Sequence, residues 1–542
     1  MHDDDIPVLI VGGSLVGLTT AVFLGWHGIP SFVVERHAGT AIHPRAAHFQ
    51  QRTLELYRSV GLETAVMEAA RAEFVQDGAI MAVETLAGRE IEWYFRNVNE
   101  GIGDLSPTRQ VFITQKGLEP ILRARAEELG ARTQYSSEVV SLDQDDEGVT
   151  ALVRGQDGRE QTVRARYAVA ADGSRSPVRE RLRIALRGHP TFSRSLTIYF
   201  RANVKPLLRD RNLSVVYVFN DQVQGFLRFE IAGDAGFFAV SKALDAQGSP
   251  TSDVASDMSE ARCTEIVRAA LGVPDLPIEI ENVQPWNASA EWAERFQEGR
   301  IFLAGDAAHL MPPNGGFGGN TGVHDAQNLA WKLAYVLNGV AGAELLSTYG
   351  AERGPVAAFT AEQAYTRYVV RLAPELRTDD LVPYVEDPSI VLGYRYRSRA
   401  VAAESDADEA IYENPRAPSG RPGTRAPHVV VDRNGDRIST LDLMGRNFVL
   451  LSGNGGDGWS EAAREAGAHL GVAVDAYRVG GDLVDCADPH PFRDLYGTGS
   501  DGAVLVRPDG FIAWRARTGP EDGEGGLQEA LAGLLARSTW NS

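Results

Sequence analysis

The N-terminal segment constrains the fold most strongly, because a short apolar strand runs directly into a glycine-rich turn. The pattern predicts a βαβ unit, with a strand at 6–11, a helix at 15–26 and a second strand at 31–34. The turn after the first strand contains three glycines: Gly12, Gly13 and Gly17. Glycine permits a tight turn, and the amides and positive dipole end of the following helix can face a pyrophosphate.

Glu35, at the end of the second predicted strand, supports this interpretation. It lies 23 residues after Gly12, and a carboxylate at such a position can accept hydrogen bonds from ribose hydroxyls. Ser14 replaces the middle glycine of the usual GxGxxG pattern, but serine is small and keeps its N–H. We therefore expect dinucleotide binding here, and the alternative is a purely structural glycine turn.

The composition excludes several classes of protein. With 53 basic and 73 acidic side chains, the net charge is −20, so the chain lacks the surplus of Lys and Arg that nucleic-acid binding requires. We expect no membrane span, because no window offers roughly 18 uninterrupted apolar residues, and no signal peptide, because the first residues lack a basic region. The two cysteines, Cys263 and Cys486, form no CxxC and fit a reducing, cytoplasmic location.

The pattern along the chain indicates several units, since 542 residues can hold three or four domains of roughly 150 residues. Strand-like runs from about 192 to 231 interrupt the α/β pattern, which returns near residue 300 and continues into a helix predicted from about 323 to 338. A stretch rich in Pro, Gly and Arg at 413–428 is typical of a linker. Beyond it the order is βαβ and then ββα, which is thioredoxin-like.

Two distant segments make the interpretation specific. The run RYAVAADGSRSPVRE ends a strand at Asp172 and Gly173, and the run GRIFLAGDAAHLMPPNGGFGGN carries Gly305 and Asp306 ahead of a glycine-rich loop. Together with the N-terminal turn and HPRA at 43–46, these motifs resemble the class A flavoprotein aromatic hydroxylases, whose type member is para-hydroxybenzoate hydroxylase. The resemblance covers nearly the whole chain, and the phenol hydroxylase and aromatic polyketide hydroxylase branch looks closest.

The resemblance implies an α/β fold in which a β-rich substrate domain interrupts a doubly wound FAD-binding domain, followed by a thioredoxin-like domain. The expected boundaries are 1–185 and 286–400 for the two parts of the FAD-binding domain, 186–285 for the substrate domain, 401–427 for a linker and 428–542 for the C-terminal domain.

The resemblance also implies a set of FAD contacts. The pyrophosphate would lie against Gly12, Gly13, Ser14, Leu15 and Val16, the adenosine against Glu35 and Arg36, and the ribityl or pyrophosphate beside Arg45 and Gln115. Asp172 would belong to the DG motif that the family shares between FAD and NAD(P)H, and Asp306, next to Gly305, would hold a ribityl hydroxyl. Pro313 would lie against the flavin ring, the amides of Gly319 and Asn320 would point at N1 and O2, and the neighbouring Gly318 would also contact the cofactor.

The last of these contacts also has a direct physical reason. The loop leads into the helix predicted to start near Val323, whose unsatisfied N–H groups and positive dipole end would stabilise the negative charge of a reduced flavin. The alternative is a glycine-rich helix cap with no ligand.

Aromatic side chains in the strand-like region are candidates for the substrate pocket. Tyr217, Phe226 and Arg228 recur at strand spacing, Trp286 follows later, and Pro313 would complete the pocket beside the flavin. A cation such as Arg228 can lower the pKa of a phenol. The alternatives are an ordinary sheet core for the aromatic residues and a solvated sheet-edge position for Arg228.

A second glycine fingerprint occurs in the C-terminal region, where Gly453, Gly455 and Gly458 follow a predicted strand and Asp475 comes 22 residues after Gly453. A second nucleotide site is one interpretation. The thioredoxin-like element order favours a structural or dimer-supporting role instead, and without CxxC we expect no thioredoxin chemistry. We expect no metal site.

The function implied is an FAD-dependent, NAD(P)H-consuming aromatic monooxygenase that inserts one oxygen from O2 through a C4a-hydroperoxyflavin. The expected substrate is a small aromatic molecule, a polycyclic polyketide-type phenol or quinone of the kind met in antibiotic biosynthesis. Baeyer–Villiger oxidation, epoxidation and a catalytically silent flavin-binding partner are the alternatives. The sequence identifies no catalytic acid or base, and it leaves both a monomer and a homodimer open.

Overall fold

A computed structural model of the chain describes residues 6–42, 47–245, 247–404, 409–486, 491–519 and 524–537. Its strands are β1 Ile6–Val11, β2 Ser31–Val34, β3 Ala79–Val83, β4 Glu90–Phe95, β5 Arg132–Gln134, β6 Ser137–Gln144, β7 Val149–Gly155, β8 Glu160–Ala170, β9 Leu186–Arg201, β10 Leu213–Phe219, β11 Val223–Phe229, β12 Ala235–Leu244, β13 Pro250–Thr251, β14 Glu279–Ala293, β15 Gln297–Glu298, β16 Ile301–Leu303, β17 His309–Leu310, β18 Val430–Arg433, β19 Asp436–Ser439, β20 Phe448–Ser452, β21 Val474–Arg478, β22 Val484–Asp485, β23 Ala503–Val506 and β24 Ile512–Ala516.

The helices are α1 Leu15–Trp26, α2 Gln51–Ser59, α3 Glu63–Glu73, α4 Gln115–Glu128, α5 Pro177–Arg181, α6 Lys205–Leu208, α7 Glu260–Leu271, α8 Phe317–Leu337, α9 Ser347–Leu372, α10 Asp387–Val391, α11 Trp459–Leu470, α12 Pro491–Tyr496 and α13 Glu524–Leu534. In the described part of the chain, no helix is long and apolar enough to cross a lipid bilayer.

The first sheet is parallel at its centre, in the order β16-β8-β1-β2-β5, with β15 at one edge and β6 and β7 as an antiparallel extension of β8. Strand β1 lies inside the sheet and is buried from Val8 to Val11, which explains its continuous apolar sequence. The carboxyl ends of parallel strands meet at one edge of a sheet. This edge therefore brings together Gly12, Glu35, Asp172 and Gly305, each of which follows a strand directly or by one residue.

The second sheet is largely antiparallel, in the order β17-β14-β9-β12-β11-β10-β3-β4. Its long central pair is β9 with β14, and helix α7 covers one apolar face. Strands β3 and β4 come from inside the segment expected to be FAD-binding domain (1–185), and β14 runs past the expected end at 285. The chain therefore passes between the two units more often than the expected boundaries allow, because β3 pairs in parallel with the distant β10.

The C-terminal unit contains a sheet in the order β21-β20-β23-β24, with β20 and β21 parallel and the other pairs antiparallel. This is the expected thioredoxin-like arrangement, and helices α11 and α13 pack on it. A small additional sheet, β19-β18-β22, lies beside it. Cys263 and Cys486 are both free thiols.

The segment expected to be a linker (401–427) packs tightly in its described part. Thr424, Arg425 and Ala426 are buried, and Arg425 forms an ion pair with Glu55 of α2. The Pro- and Gly-rich composition therefore marks irregular but ordered backbone that fixes the C-terminal unit against the rest of the chain.

Candidate functional site

The glycine turn after β1 has the shape of a phosphate-binding loop. Gly12 has a φ of +105°, and a Cβ there would collide with the carbonyl oxygen of Ala171 and come within 3.2 Å of Cα of Asp172. A Cβ on Gly17 would collide with the carbonyl oxygen of Gly12, so glycine permits the close packing of α1 against the strand end. These contacts give the turn the compactness that a bound pyrophosphate requires.

Glu35 lies where the ribose of a dinucleotide is expected. Its Oε2 accepts a hydrogen bond from the N–H of Gly13 at 2.7 Å, and its Oε1 accepts one from the N–H of His37 at 2.8 Å. The neighbouring Arg36 is exposed at the same rim. The two residues predicted to contact the adenosine, Glu35 and Arg36, thus lie side by side at the end of β2. Arg45, predicted to lie beside the ribityl or pyrophosphate, is outside the described residues.

A buried carboxylate, which the sequence analysis missed, accepts hydrogen bonds from the glycine turn after β1. Glu119 of α4 accepts hydrogen bonds from the Ser14 hydroxyl at 2.5 Å, the N–H of Leu15 at 2.9 Å and the Gln115 amide at 2.9 Å. Its other oxygen accepts from the N–H of Ala41 at 2.6 Å. Serine therefore fits the position of the middle glycine because its hydroxyl has a partner, and the predicted Gln115 lies at the loop.

The DG motif after β8 meets the GD motif after β16. The N–H of Val178 donates to Oδ2 of Asp172 at 3.1 Å, while Oδ1 has no hydrogen-bond partner within the described residues. Burial raises the pKa of Asp172. Arg179 donates to the carbonyl of Ala307 at 3.0 Å and so joins the two motifs.

The turn that carries Gly305 and Asp306 rests on a buried ionic cluster. Oδ2 of Asp325 accepts from the N–H of Gly305 at 3.1 Å and from Nε2 of His309 at 2.6 Å, and Oδ1 accepts from Nε of Arg353 at 2.7 Å. Burial opposes the ionisation of Asp325, but His309 and Arg353 lower its pKa to about 2. The cluster holds the turn so that the Asp306 side chain is on the exposed side.

Helix α8 begins six residues earlier than predicted, at Phe317 instead of near Val323. Glycine has low helix propensity, so the GGFGGN run resembled a loop, but tertiary packing overrides this preference. Gly316, with a φ of +68°, caps the helix, and its N–H donates to the carbonyl of Pro313 at 3.0 Å. In a helix that begins at Phe317, the backbone N–H groups of Phe317, Gly318 and Gly319 have no acceptor within the helix. The N–H of Asn320 is the first that can bond within the helix, to the carbonyl of Gly316. The open donors therefore lie slightly before the predicted position.

The Asn320 side chain has a different role from the one predicted for its amide. Oδ1 accepts from the N–H of Gln50 at 3.0 Å and from the hydroxyl of Thr53 at 2.7 Å, and Nδ2 donates to the carbonyl of His48 at 3.0 Å. It therefore joins the first turn of α8 to the start of α2. Val16, whose side chain faces Gly305 and Gly322, closes the same region from α1.

Two buried side chains near this helix start have unused polar atoms. Both amide atoms of Asn314, which is 2% exposed, have no hydrogen-bond partner within the described residues. Arg228 donates through Nη1 to the carbonyl of Ala47 at 2.7 Å, but its Nε and Nη2 are likewise unpaired there. Such orphaned groups cost free energy unless a ligand satisfies them. The polar edge of an isoalloxazine ring carries the acceptors and the N–H donor that fit them.

Arg228 is buried, so the alternative of a solvated sheet-edge position is wrong. Its guanidinium lies 4.4 Å from the ring centroid of Phe74 and 4.6 Å from that of Phe112, at 4% side-chain exposure. Burial lowers its pKa to about 9, with partial compensation from Glu73. The tertiary packing of β11 against the 47–48 backbone decided this outcome, and strand spacing alone could not.

The predicted aromatic residues share one face of the second sheet. The ring centroids of Tyr217 and Phe226 are 6.0 Å apart, and Trp286 donates from Nε1 to the hydroxyl of Thr197 at 3.1 Å. Tyr368 of α9 packs in the same cluster.

Arg371, near the end of α9, is a second cation that the sequence analysis missed. Its guanidinium lies 5.4 Å from the Tyr94 ring centroid and 5.9 Å from that of Tyr217, and Nη2 donates to the hydroxyl of Tyr384 at 3.3 Å. Burial would lower its pKa, but Tyr217, Tyr384 and Asp387 raise it, so Arg371 stays charged. A positive charge therefore borders the aromatic face.

Comparison with known proteins decides the family. The family described as "FAD binding domain" matches residues 5–364, and the one described as "Aromatic-ring hydroxylase, C-terminal" matches residues 419–538. This chain belongs to the FAD-dependent aromatic-ring hydroxylases.

Relatives with full-length similarity support this assignment. The hydroxylase is 52% identical to a 4-methyl-5-nitrocatechol 5-monooxygenase of Burkholderia sp, over 99% of this chain and 98% of the relative. It is 40% identical to the tetracenomycin A2 monooxygenase-dioxygenase of Streptomyces glaucescens, over 99% and 98%. A crystal structure of a ternary complex of aklavinone-11 hydroxylase with FAD and aklavinone matches with a TM-score of 0.92 at 38% identity, over 99% of this chain and 100% of that one. The chain is thus an FAD-dependent aromatic monooxygenase of the polyketide hydroxylase type, and the predicted family and fold class are confirmed.

The second glycine run of the hydroxylase is closed by its own backbone. The N–H of Gly453 donates to the carbonyl of Gly502 at 3.0 Å, and that of Gly455 donates to Ser500 at 2.8 Å. The indole of Trp459, at the start of α11, donates to the carbonyl of Asp501 at 2.7 Å. These contacts favour the structural role over a second nucleotide site.

His48 is a further residue that the sequence analysis missed. Its Nε2 bonds to Oε1 of Gln110 at 2.7 Å, and because Gln110 donates to the carbonyl of Val98, His48 is the donor. Burial and the charge of Arg228 lower the pKa of His48 to about 4, so the ring is neutral at physiological pH. No local pattern around His48 signals this, because its partners lie far away in sequence.

Among the described residues, no group of three or more His, Cys, Asp or Glu side chains could hold a metal ion.

Proposed function

We propose that this hydroxylase consumes NAD(P)H and O2 and inserts one oxygen atom into an acidic phenol or catechol held on the aromatic face of the second sheet. The observation that carries the proposal is the position of Arg371 among the phenol rings of Tyr94, Tyr217 and Tyr384. A half-buried cation among phenol rings favours an anionic aromatic ligand over a neutral one.

Bound FAD would accept a hydride from NAD(P)H and would activate O2. The chain would hold it through the Gly12–Val16 loop, Glu35 and the turn at Asp306. The open N–H groups at the start of α8 and the charge of Arg228 would stabilise negative charge on the ring. We therefore assign Arg228 to the cofactor rather than to the substrate.

The chain would act on the substrate by binding, orienting and ionising it. The charge of Arg371 lowers the pKa of a nearby hydroxyl, and a phenolate oxygen raises the electron density of its ring. The aromatic side chains of Tyr217, Phe226 and Trp286 would orient that ring. The substrate hydroxyl would therefore lose its proton on binding, before oxygen transfer.

Two ring sizes fit this chemistry. A nitrocatechol has one ring and an acidic hydroxyl, whereas the sequence analysis predicts a polycyclic phenol or quinone. The experiment below resolves the ring size of the substrate.

Two unpaired thiols and a need for NAD(P)H fit a cytoplasmic site of action.

The test is anaerobic bleaching of the flavin absorbance by NADPH or NADH, with and without nitrocatechols and polycyclic phenols. Acceleration by one class identifies the substrate, and product mass and position after O2 is admitted separate hydroxylation from Baeyer–Villiger oxidation and epoxidation. A flavin that neither nucleotide reduces with any compound would favour a catalytically silent flavoprotein.

An Asp306→Ala variant tests the cofactor site separately. The loss of a carboxylate from the turn at Gly305–Ala307 should weaken FAD retention severely. Flavin content of the purified variant is the measurement. Unchanged flavin content would contradict the assigned role of the turn.

A further inference from the structure

The tip of the β23–β24 hairpin in the C-terminal unit is inserted among the helices of the FAD-binding domain. Arg507 and Asp509 at this tip are 0% and 2% exposed. Arg507 donates through Nη1 and Nη2 to Glu352 of α9 at 2.6 and 2.8 Å, and Lys332 of α8 donates to Glu352 at 2.7 Å. Charged groups are almost never buried so fully without partners, and here each has several.

Asp509 contacts two helices at once. Its Oδ2 accepts from Nδ2 of Asn328 at 3.2 Å and from Nε1 of Trp331 at 3.3 Å, both on α8. Its backbone carbonyl accepts from Nη2 of Arg52 on α2. One residue of the C-terminal unit therefore fixes α8 relative to α2.

The same two helices meet again at the flavin site. The hydroxyl of Thr53, next to Arg52 on α2, donates to Oδ1 of Asn320 at 2.7 Å in the first turn of α8. Eight residues separate Asn320 from Asn328, which at 1.5 Å per residue is about 12 Å along a continuous helix. The hairpin contact and the start of α8 are therefore connected through two continuous helices, α2 and α8.

We propose that the hairpin tip of the C-terminal unit positions the flavin-binding end of α8, with Asp509 as the positioning residue, so that the thioredoxin-like unit determines FAD affinity. The inference rests on the FAD site proposed above. It gives the unit a function that needs no redox-active cysteine pair and no nucleotide site of its own.

The geometry supports coupling rather than mere attachment. A unit held only by surface contacts would affect the stability of the chain without affecting the helix start. Here Arg52 also bonds to Glu55 at 3.0 Å, and Glu55 pairs with Arg425 of the segment that leads to the C-terminal unit. The segment that leads to the unit and the hairpin tip of the unit therefore both contact α2.

The test compares two full-length variants. Asp509→Asn keeps the shape of the side chain but removes the charge and one acceptor oxygen, so the contacts with Asn328, Trp331 and Arg507 weaken. Trp459→Phe is the control, because it removes the hydrogen bond from Nε1 to Asp501 inside the C-terminal unit. FAD binding to the apoprotein is measured by quenching of flavin fluorescence, together with Tm with and without FAD.

We expect Asp509→Asn to weaken FAD binding about tenfold, within the usual range of coupling between two sites, and to reduce the FAD-induced rise in Tm. Trp459→Phe should lower Tm and leave the Kd for FAD unchanged. An unchanged Kd in Asp509→Asn, or equal losses in both variants, would overturn the inference. If the wild-type apoprotein does not bind FAD, the proposed function fails instead.

Hydrogen exchange on the wild-type protein gives an independent answer if Asp509→Asn does not fold. Coupling is reciprocal, so FAD should slow amide exchange in β23 and β24. Exchange there that is the same with and without FAD, while the start of α8 is protected, would overturn the inference.

Discussion

Nε of Arg353 donates a hydrogen bond to Oδ1 of Asp325 at 2.7 Å, and both side chains are completely buried. The other oxygen of this carboxylate holds Gly305 and His309. One buried ion pair therefore positions the turn that carries Asp306, and it links the long helix α9 to the cofactor edge of the first sheet.

Replacing Asp325 with Asn should destabilise the protein by about 3 kcal/mol, because it leaves Arg353 buried without a full counter-charge. Urea unfolding of the two proteins measures this free energy. Arg154→Gln is the matched control, since the pair of Arg154 and Glu160 is 50% and 42% exposed and should contribute less than about 1 kcal/mol. Similar losses in the two variants would show that burial does not strengthen the pair of Asp325 and Arg353.

The same pair predicts a dependence of stability on acid. Asp325 has a pKa of about 2 in the folded protein against 3.8 ordinarily, so its contribution, about 2 kcal/mol by linkage, is complete above pH 4. It is lost as the pH falls from about 4 towards 2, because the Asp325 carboxyl takes up a proton in the unfolded state at a higher pH than it does in the folded state. The difference in unfolding free energy between wild type and Asp325→Asn, measured at several pH values, should therefore shrink over this range. A constant difference would contradict the prediction.

Arg228→Met should lower the reduction potential of the bound flavin. The buried guanidinium has two unpaired donor atoms within the described residues and stabilises added negative charge. We expect a shift of about 30–60 mV, which corresponds to roughly 1.4–3 kcal/mol for two electrons, measured by spectroelectrochemistry. Arg228→Lys keeps the charge and should shift the potential less. A potential unchanged in both variants would remove Arg228 from the cofactor site.

Arg371→Met should raise the pKa of a bound phenol by about one unit, because the neighbouring cation is lost. Absorbance titration of bound 4-nitrocatechol reports this pKa directly. Arg377, exposed just beyond the end of α9, provides the control variant Arg377→Met, which should leave the bound pKa unchanged. A bound pKa that Arg371→Met leaves unchanged would argue against ionisation of the substrate by Arg371.

Local patterns predicted the elements that hold the cofactor. The glycine turn, Glu35 and the two Asp motifs each follow a parallel strand, so their convergence follows from the topology of such a sheet. Residues in long-range polar contacts could not be predicted this way. Glu119 bonds to Leu15 across 104 positions, and no periodicity of α4 marks one glutamate among its neighbours.

The aromatic face shows the same division. Strand spacing placed Tyr217 and Phe226 on one surface, but Arg371 reaches Tyr217 from a helix more than 140 residues away. The position of α8 was predicted approximately, and its start was missed because glycine propensity conflicted with packing. Arg228 was ambiguous for a similar reason, since only the approach of residues 47–48 buries it.

The interleaving of the two sheets sets the order in which a nascent chain can fold. Strand β14 completes one side of β9, and β16, a few residues later, completes one side of β8. A ribosome-bound chain that ends before residue 279 therefore has an exposed edge in both sheets at once. Emergence of residues 279–310 completes both sheets together, so the two units gain their stability in one late cooperative step during synthesis rather than one after the other.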